Sequence, residues 1–162
     1  MELKKISLEE VNRFNENTLM QHLAIEVTEI GSDFITARMP VDHRTHQPMG
    51  LLHGGASVVL IESLGSIGSS LMLDLNVEHP VGLEVNANHV GAARTGYVVA
   101  KAKVVHAGKR THVWQVEVET EERAVDPHSK DDPDHRAERD QRLDLSVVRR
   151  REVARVEREK KD

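Results

Sequence analysis

The chain has 162 residues, a net charge of −5 and no cysteine. This length fits one globular domain, and the lack of cysteine excludes disulfides, thiolate catalysis and cysteine-based metal sites. A negative net charge provides no basic field for nucleic acid or an anionic membrane, so we expect small molecules or other copies of the chain as partners. The first ten residues lack the basic and apolar runs of a secretory signal, which predicts a cytoplasmic protein.

Two helices are predicted, a short one near the start and a long apolar one in the middle of the chain. Ser7 and Glu10 form a capping box, so the first helix is expected to end at about Asn15. The second helix is expected to begin near Gly55, after a loop. Polar residues interrupt its apolar stretch, which is too short to cross a membrane, so we expect a buried core helix.

Five β-rich runs predict strands, at residues 24–29, 34–40, 81–90, 96–106 and 111–119. The Gly31-Ser32-Asp33 segment predicts a hairpin turn between the first two strands. In the last strand Trp114, Val116 and Val118 alternate with polar residues, which is typical of a sheet with one covered face. One long apolar helix among five strands indicates an α+β fold, with an antiparallel sheet wrapped around the helix.

The first candidate site lies where the loop meets the long helix. Gly54 and Gly55 permit a close approach of the backbone to a ligand. Unpaired N–H groups at a helix start can stabilise an oxyanion. Two glycines can also serve only to make a tight turn, so this signal alone leaves both interpretations open.

Glu62 is the second candidate because it lies in an otherwise apolar helix. A buried carboxylate is unfavourable unless it has a partner or a chemical purpose. Positions 62, 66 and 69 share one helical face, so Glu62, Ser66 and Ser69 are expected to form a polar stripe along a cleft. The alternative is an exposed position or a structural ion pair.

No metal and no cofactor are predicted. His53 is expected to fix the loop through a hydrogen bond. Metal sites need several converging ligands, and the histidines outside the core elements show no recognisable spacing. The sequence contains no Gly-rich phosphate loop of standard spacing, so nucleotide hydrolysis and dinucleotide-dependent redox chemistry are poorly supported.

Several motifs in order carry a family resemblance. They are residues 41–45 (VDHRT), 47–55 (QPMGLLHGG), 62–63 (ES), 86–89 (NANH) and 113–115 (VWQ). From about Ile6 to Glu119 the chain resembles hotdog-fold thioesterases of the PaaI type. It is most similar to the bacterial branch that hydrolyses 1,4-dihydroxy-2-naphthoyl-CoA in menaquinone biosynthesis, which is akin to one class of 4-hydroxybenzoyl-CoA thioesterases.

The resemblance implies a role for each catalytic candidate. Glu62 corresponds to the nucleophile or general base, and the Gly54 N–H to the group that polarises the thioester carbonyl. Gln47 would help to hold that carbonyl, His53 would shape the loop, and Ser66 would orient the attacking water or the acyl group. In the family the glutamine and glycine come from one subunit and the glutamate from its neighbour. A homodimer follows, commonly paired again into a tetramer.

The resemblance also implies coenzyme A contacts. Asn88 and His89 on the third strand match usual contacts, as do Gly108, Lys109 and Arg110 at the turn before the fifth. Lys109 and Arg110 are also ordinary turn residues, so both interpretations stay open.

The last part of the chain departs from the family. From Glu121 to the end 25 of 42 residues are charged, against 24 of the first 120. We therefore divide the chain into a hotdog domain at residues 1–122 and a charged tail at residues 123–162, disordered or weakly helical around Val147, Val148, Val153 and Val156. Because Asp126-Pro127 stops the run that begins at Arg123, the sheet is predicted to lack its final strand.

Two other functions are compatible with this fold. A non-catalytic acyl-CoA-binding hotdog module would keep the coenzyme A contacts and would not need Glu62. A hotdog dehydratase would need an Asp–His pair where the strand meets the helix, and Asp42 lies well before His53. Hydrolysis of a small aryl- or acyl-CoA thioester is the interpretation that uses all the motifs.

Overall fold

A six-stranded antiparallel sheet packs on one long helix. The computed structural model describes residues 2–125 and 141–151. The helices are α1 (Leu8–Phe14), α2 (Leu19–His22), α3 (Gly54–Ser70) and α4 (Glu121–Val125). The strands are β1 (Glu26–Ile30), β2 (Phe34–Pro40), β3 (Glu78–Asn88), β4 (Tyr97–Ala107), β5 (Thr111–Thr120) and β6 (Gln141–Arg151). Their order in the sheet is β1-β2-β4-β5-β6-β3, and the predicted α+β fold is confirmed.

The predicted start of α1 is also confirmed. Ser7 is its N-cap, and the Ser7 Oγ accepts a hydrogen bond from the Glu10 N–H at 3.2 Å. Helix α2 was not predicted because a four-residue helix has no measurable apolar period. Within the described residues, none of the helices combines the length and apolar character needed to span a membrane.

Helix α3 and the inner face of the sheet form the core. Leu60, Ile61 and Leu64 on the helix are fully buried, as are Trp114 and Val116 on β5. The predicted alternation along β5 is therefore confirmed, since the residues between them are exposed or half-buried. Burial of these apolar side chains is the main stabilising contribution to the contact between helix and sheet.

A tryptophan fixes the end of α3 against the sheet. The Trp114 Nε1 donates a hydrogen bond to the Ser69 Oγ at 3.0 Å. The same ring lies over Gly68, where an added Cβ would stand 2.5 Å from Trp114 Cη2. Ser69 is fully buried in this contact. The prediction that Ser69 belongs to a polar stripe along a cleft is therefore wrong, because its hydroxyl is taken by the core tryptophan.

The prediction that the sheet lacks its final strand is wrong. Strand β6 lies between β5 and β3 and pairs with both in antiparallel register. A strand with a neighbour on each side satisfies its backbone groups in two ladders, and this long-range pairing outweighs the high local charge of the sequence. The weak helix predicted around Val147 and Val148 is likewise wrong, since both lie in β6, and residues 123–125 belong to α4. The other parts of the predicted tail, residues 126–140 and 152–162, lie outside the described residues.

The two edge strands differ in how their backbones are covered. On β1 the Asn12 side chain accepts from the Val27 N–H and donates to the Val27 carbonyl, each at 2.9 Å. Strand β3 forms the opposite edge, is 11 residues long and exposes Leu83 at 62%. A long edge strand with an exposed apolar residue is a surface suited to pairing with another chain.

Candidate active site

The loop before α3 begins with a tightly bonded turn. The Thr45 Oγ1 is buried, donates to the Pro40 carbonyl at 2.9 Å and accepts from the Asp42 N–H at 3.1 Å. Arg44 binds the Asp42 carboxylate, with an Nη2–Oδ2 distance of 2.5 Å. The Arg44 guanidinium holds the pKa of Asp42 well below its usual range. Asp42 therefore has a structural partner.

The next part of the loop holds Gln47. Its N–H donates to the Leu51 carbonyl at 2.7 Å, and its side-chain Oε1 accepts from the Met49 N–H. Gly50 closes this turn with a φ of +73°, a conformation that favours glycine. The Gln47 side chain thus lies in a defined loop, and its amide NH₂ is chemically a donor that can bind a carbonyl oxygen.

His53 and Gly54 form the start of α3. His53 is the N-cap, and its Nδ1 accepts from the Gly55 N–H at 2.8 Å, so the prediction that it fixes the loop is confirmed. As the first helical residue, Gly54 has no acceptor for its N–H within the helix. A Cβ on Gly54 would lie 2.9 Å from His89 Nε2, so glycine permits the close approach of this histidine.

Glu62 lies two turns further along α3 and is half-buried. The Ser66 Oγ donates to the Glu62 Oε1 at 3.3 Å, which confirms that these two residues share a face. The carboxylate lies against Gly82 of β3, where an added Cβ would clash with Oε1 and would stand 2.9 Å from the carboxyl carbon. The Glu62 carboxylate is therefore held by one serine and by close packing on a strand glycine.

A cleft of about 440 Å³ opens beside this carboxylate, and we call it the Glu62 cleft. Its apolar lining consists of Leu19, Val58, Val59, Leu83 and Val85. The other lining residues are Glu62, Ser63, Gly82 and Glu84. The part of the chain that the structure describes contains no group of three or more His, Asp or Glu placed to hold a metal ion. The cleft thus combines an apolar surface with a positioned carboxylate.

Glu62 and Gly54 do not meet within one chain. They are eight residues apart on one helix, and a rise of 1.5 Å per residue separates their backbones by about 12 Å. An oxyanion donor and an attacking carboxylate must act on the same carbonyl group, at hydrogen-bond and near-attack distances. Gly54 and Glu62 are therefore two separate candidate groups on one chain.

The predicted coenzyme A contacts are divided in the same way. Asn88 is paired with Arg142 of β6. Thr111, which follows the Gly108–Arg110 turn, is paired with Val148 of the same strand. Six residues along a strand correspond to about 20 Å. Asn88 and His89 thus lie at the Gly54 end of the sheet, and Gly108, Lys109 and Arg110 at the end nearer Glu62.

Of the nine described residues that line the cleft, only Glu62 was predicted to do so, and Ser66 and Ser69 are not among them. Gly82 could have been found, because a glycine inside a strand signals a close approach of another group. Leu19 belongs to the short helix α2, and its distance from Glu62 in sequence hides their proximity. Leu83 and Glu84 are adjacent on β3, where regular alternation places neighbours on opposite faces.

Comparisons with known proteins identify the family. Residues 49–126 match the thioesterase superfamily. The chain is 50% identical over 115 residues to the 1,4-dihydroxy-2-naphthoyl-CoA hydrolase of Escherichia coli strain K12, a match that covers 71% of this chain and 84% of that protein. The chain belongs to the thioesterase superfamily. It is a thioester hydrolase of the acyl-CoA thioesterase class.

Solved structures support the same conclusion. A mutant thioesterase from Pseudomonas aeruginosa superposes with a TM-score of 0.79 at 38% identity, covering 92% of this chain and 97% of that one. A thioesterase from Haemophilus influenzae gives a TM-score of 0.81 at 37% identity, covering 96% and 99%. The predicted hotdog fold and family are confirmed.

Proposed function

We propose that this thioesterase hydrolyses a small aryl- or acyl-CoA thioester and that Glu62 is its catalytic carboxylate. The observation that carries this proposal is the half-buried Glu62 side chain, which opens on an apolar cleft and accepts a hydrogen bond from Ser66. Glu62 either attacks the thioester carbonyl to give an anhydride, which water then hydrolyses, or removes a proton from the attacking water. Both routes release the free acid and coenzyme A.

The start of α3 supplies the electrophilic half of the proposed site. The Gly54 N–H, reinforced by the helix dipole, stabilises the oxyanion that forms on the thioester carbonyl. The Gln47 amide donates a second hydrogen bond to the same oxygen. His53 acts indirectly, because its bond to the Gly55 N–H fixes the loop that carries both donors. Ser66 orients the Glu62 carboxylate or the attacking water.

We further propose that two copies of the chain complete each site. The separation of about 12 Å between the backbones of Gly54 and Glu62 on one helix supports this proposal, because both groups must contact the same carbonyl. An antiparallel pairing of two β3 edges would bring Glu62 of one copy towards Gly54 and His89 of the other. Coenzyme A would then contact Lys109 and Arg110 of one copy and Asn88 and His89 of the other. Such a homodimer is commonly paired into a tetramer in the family.

The first substrate to test is 1,4-dihydroxy-2-naphthoyl-CoA, the compound named for the Escherichia coli relative at 50% identity. Thiol release should be measured with that compound, 4-hydroxybenzoyl-CoA, and fatty acyl-CoAs of increasing length. We expect the aryl thioesters to give the highest kcat/KM, because their rings bury apolar surface on the cleft wall. A profile that rises steadily with fatty chain length would contradict the aryl preference.

The Lys109→Ala and Arg110→Ala variants should each raise KM for acyl-CoA severalfold with little change in kcat. Both side chains are exposed at the β4–β5 turn, and contacts to phosphates far from the carbonyl bind ground state and transition state alike. The effect should shrink at high salt. Lys5→Ala, which removes an exposed charge elsewhere, is the control. If acyl-pantetheine substrates lose as much as acyl-CoA, these residues do not bind the nucleotide.

The two alternative functions are less well supported. A dehydratase would need an Asp–His pair, but Arg44 binds the Asp42 carboxylate and the His53 Nδ1 accepts from Gly55. A non-catalytic binding module gives no reason for a half-buried carboxylate hydrogen-bonded to Ser66 in an apolar cleft. Hydrolysis accounts for both features.

A further inference from the structure

The Asn12 side chain occupies the place of a strand partner at the β1 edge of the sheet. In an antiparallel ladder the N–H and the carbonyl of one residue point to the same side of the strand. Val27 lies opposite Ala37 of β2, and both of its backbone groups bind the Asn12 amide from helix α1. Each of the two hydrogen bonds is 2.9 Å long. One side chain thus makes the two bonds that a residue of a further strand would make.

The two short helices before β1 hold this arrangement in place. Helix α1 is capped by Ser7 and anchored by Val11, which is 3% exposed. Asn12 itself is half-buried, so water competes weakly for its two bonds. The Ile25 N–H, just before β1, donates to the Met20 carbonyl of α2 at 2.8 Å. The start of the β1 edge is therefore covered by both helices.

Strand β1 is also irregular at this place. Its register with β2 shifts between Val27 and Glu29. A bulge increases the local twist of a strand, and a twisted edge is poorly suited to pairing with another chain. Strand β1 has five residues, whereas β3 at the opposite edge has 11. Coverage, twist and short length therefore all oppose the addition of a further strand to β1.

We propose that Asn12 closes the β1 edge and thereby confines edge-to-edge pairing of two copies of the chain to β3. This inference rests on the proposed function, since it takes β3 as the edge that joins the two copies of a site. Pairing through one edge with two-fold symmetry gives a closed dimer. If β1 could pair in the same way, each copy would have two pairing edges, and the sheets would join into an open-ended assembly. The surface exposed by loss of Asn12 fits the β1 strand of a second copy.

The test measures the mass of the full chain by size-exclusion chromatography with light scattering at several concentrations. Asn12→Leu keeps the approximate size of the side chain and removes both bonds to Val27. We expect its mean mass to be at least about twice that of the unmodified protein, because each new β1 pairing joins two assemblies. Adding Thr28→Lys places a charge on the exposed neighbour in β1 and should restore the unmodified mass. The control Glu9→Leu adds a leucine to α1, leaves Asn12 in place and should not change the mass.

Hydrogen exchange of the Val27 amide, followed by NMR in the unmodified protein, is a second measurement that needs no substitution. Exchange should be at least about a hundredfold slower than in an unstructured chain, because the bond to Asn12 must open first. Unprotected exchange at Val27, or a folded Asn12→Leu protein of unchanged mass, would overturn the proposal. Circular dichroism establishes whether the variant is folded. A monomeric unmodified protein with an Asn12→Leu variant that stops at a dimer would support the closed β1 edge and contradict the two-copy site.

Discussion

Glu62→Gln should lower kcat for thioester hydrolysis by at least about a hundredfold, which is the usual contribution of a positioned acid–base group. Glutamine keeps the size of the side chain and can still accept the hydrogen bond from Ser66, but it is neither a base nor a nucleophile. Because the side chain is only half-buried, the fold should survive. Steady-state thiol release and circular dichroism together check both parts of this expectation.

Two controls sharpen the result. Glu122→Gln removes one carboxylate from the exposed face of α4 and should retain full turnover. Ser66→Ala leaves the carboxylate in place and removes only its hydrogen bond, so a smaller loss of kcat is expected. A Glu62→Gln enzyme with most of its turnover would remove Glu62 from the catalytic role.

A chain that ends at Val125 should lose its cooperative thermal transition. It lacks β6, which lies between β5 and β3 and completes two ladders of the sheet. Without β6, strand β3 has no neighbour in the described sheet. The stabilising free energy lost should exceed the free energy of unfolding of a typical domain, which is roughly 5–15 kcal/mol. A chain that ends at Arg151 keeps the strand and is the matched control. Thermal melting followed by circular dichroism is the measurement.

A single substitution can test the same strand. Ser146 is paired with Val113 on one side and Glu84 on the other, so its backbone lies inside both ladders. Ser146→Pro removes the backbone donor and should lower the melting temperature far more than Ser146→Ala, which keeps it. Two results would show that β6 does not stabilise the sheet. The chain that ends at Val125 would melt at the same temperature as the chain that ends at Arg151, and Ser146→Pro would leave the melting temperature unchanged.

Local signals were sufficient for much of the fold and for two residues of the candidate site. The helix start at Ser7, the hairpin turn after β1 and the alternation along β5 depend on neighbouring residues, and all three are present. Gly54 at the helix start and Glu62 in an apolar helix are likewise local anomalies. Both residues could be identified as candidates without knowledge of the residues that pack against them.

The errors arose where distant residues decide the outcome. Ser69 shares a helical face with Glu62, but the ring of Trp114 on β5 engages its hydroxyl. For β6, the charge of the surrounding sequence concealed Leu143, Leu145 and Val147, which recur at every second position. That alternation is typical of a strand, whereas Val147 and Val148 were assigned to a weak helical stripe.

The position of β6 has a consequence for the order in which the protein can assemble during synthesis. Strand β3, which carries Gly82 against the Glu62 carboxylate, is made before β4, β5 and α4, but its partner in the sheet is made after all of them. Pairings between such distant segments form slowly, because the entropy of closing a long loop is lost before the strand contacts can stabilise the chain. Until Arg151 has left the ribosome, β3 cannot join the sheet and Glu62 lacks its supporting wall. The candidate active site is therefore among the last parts of the nascent chain to form.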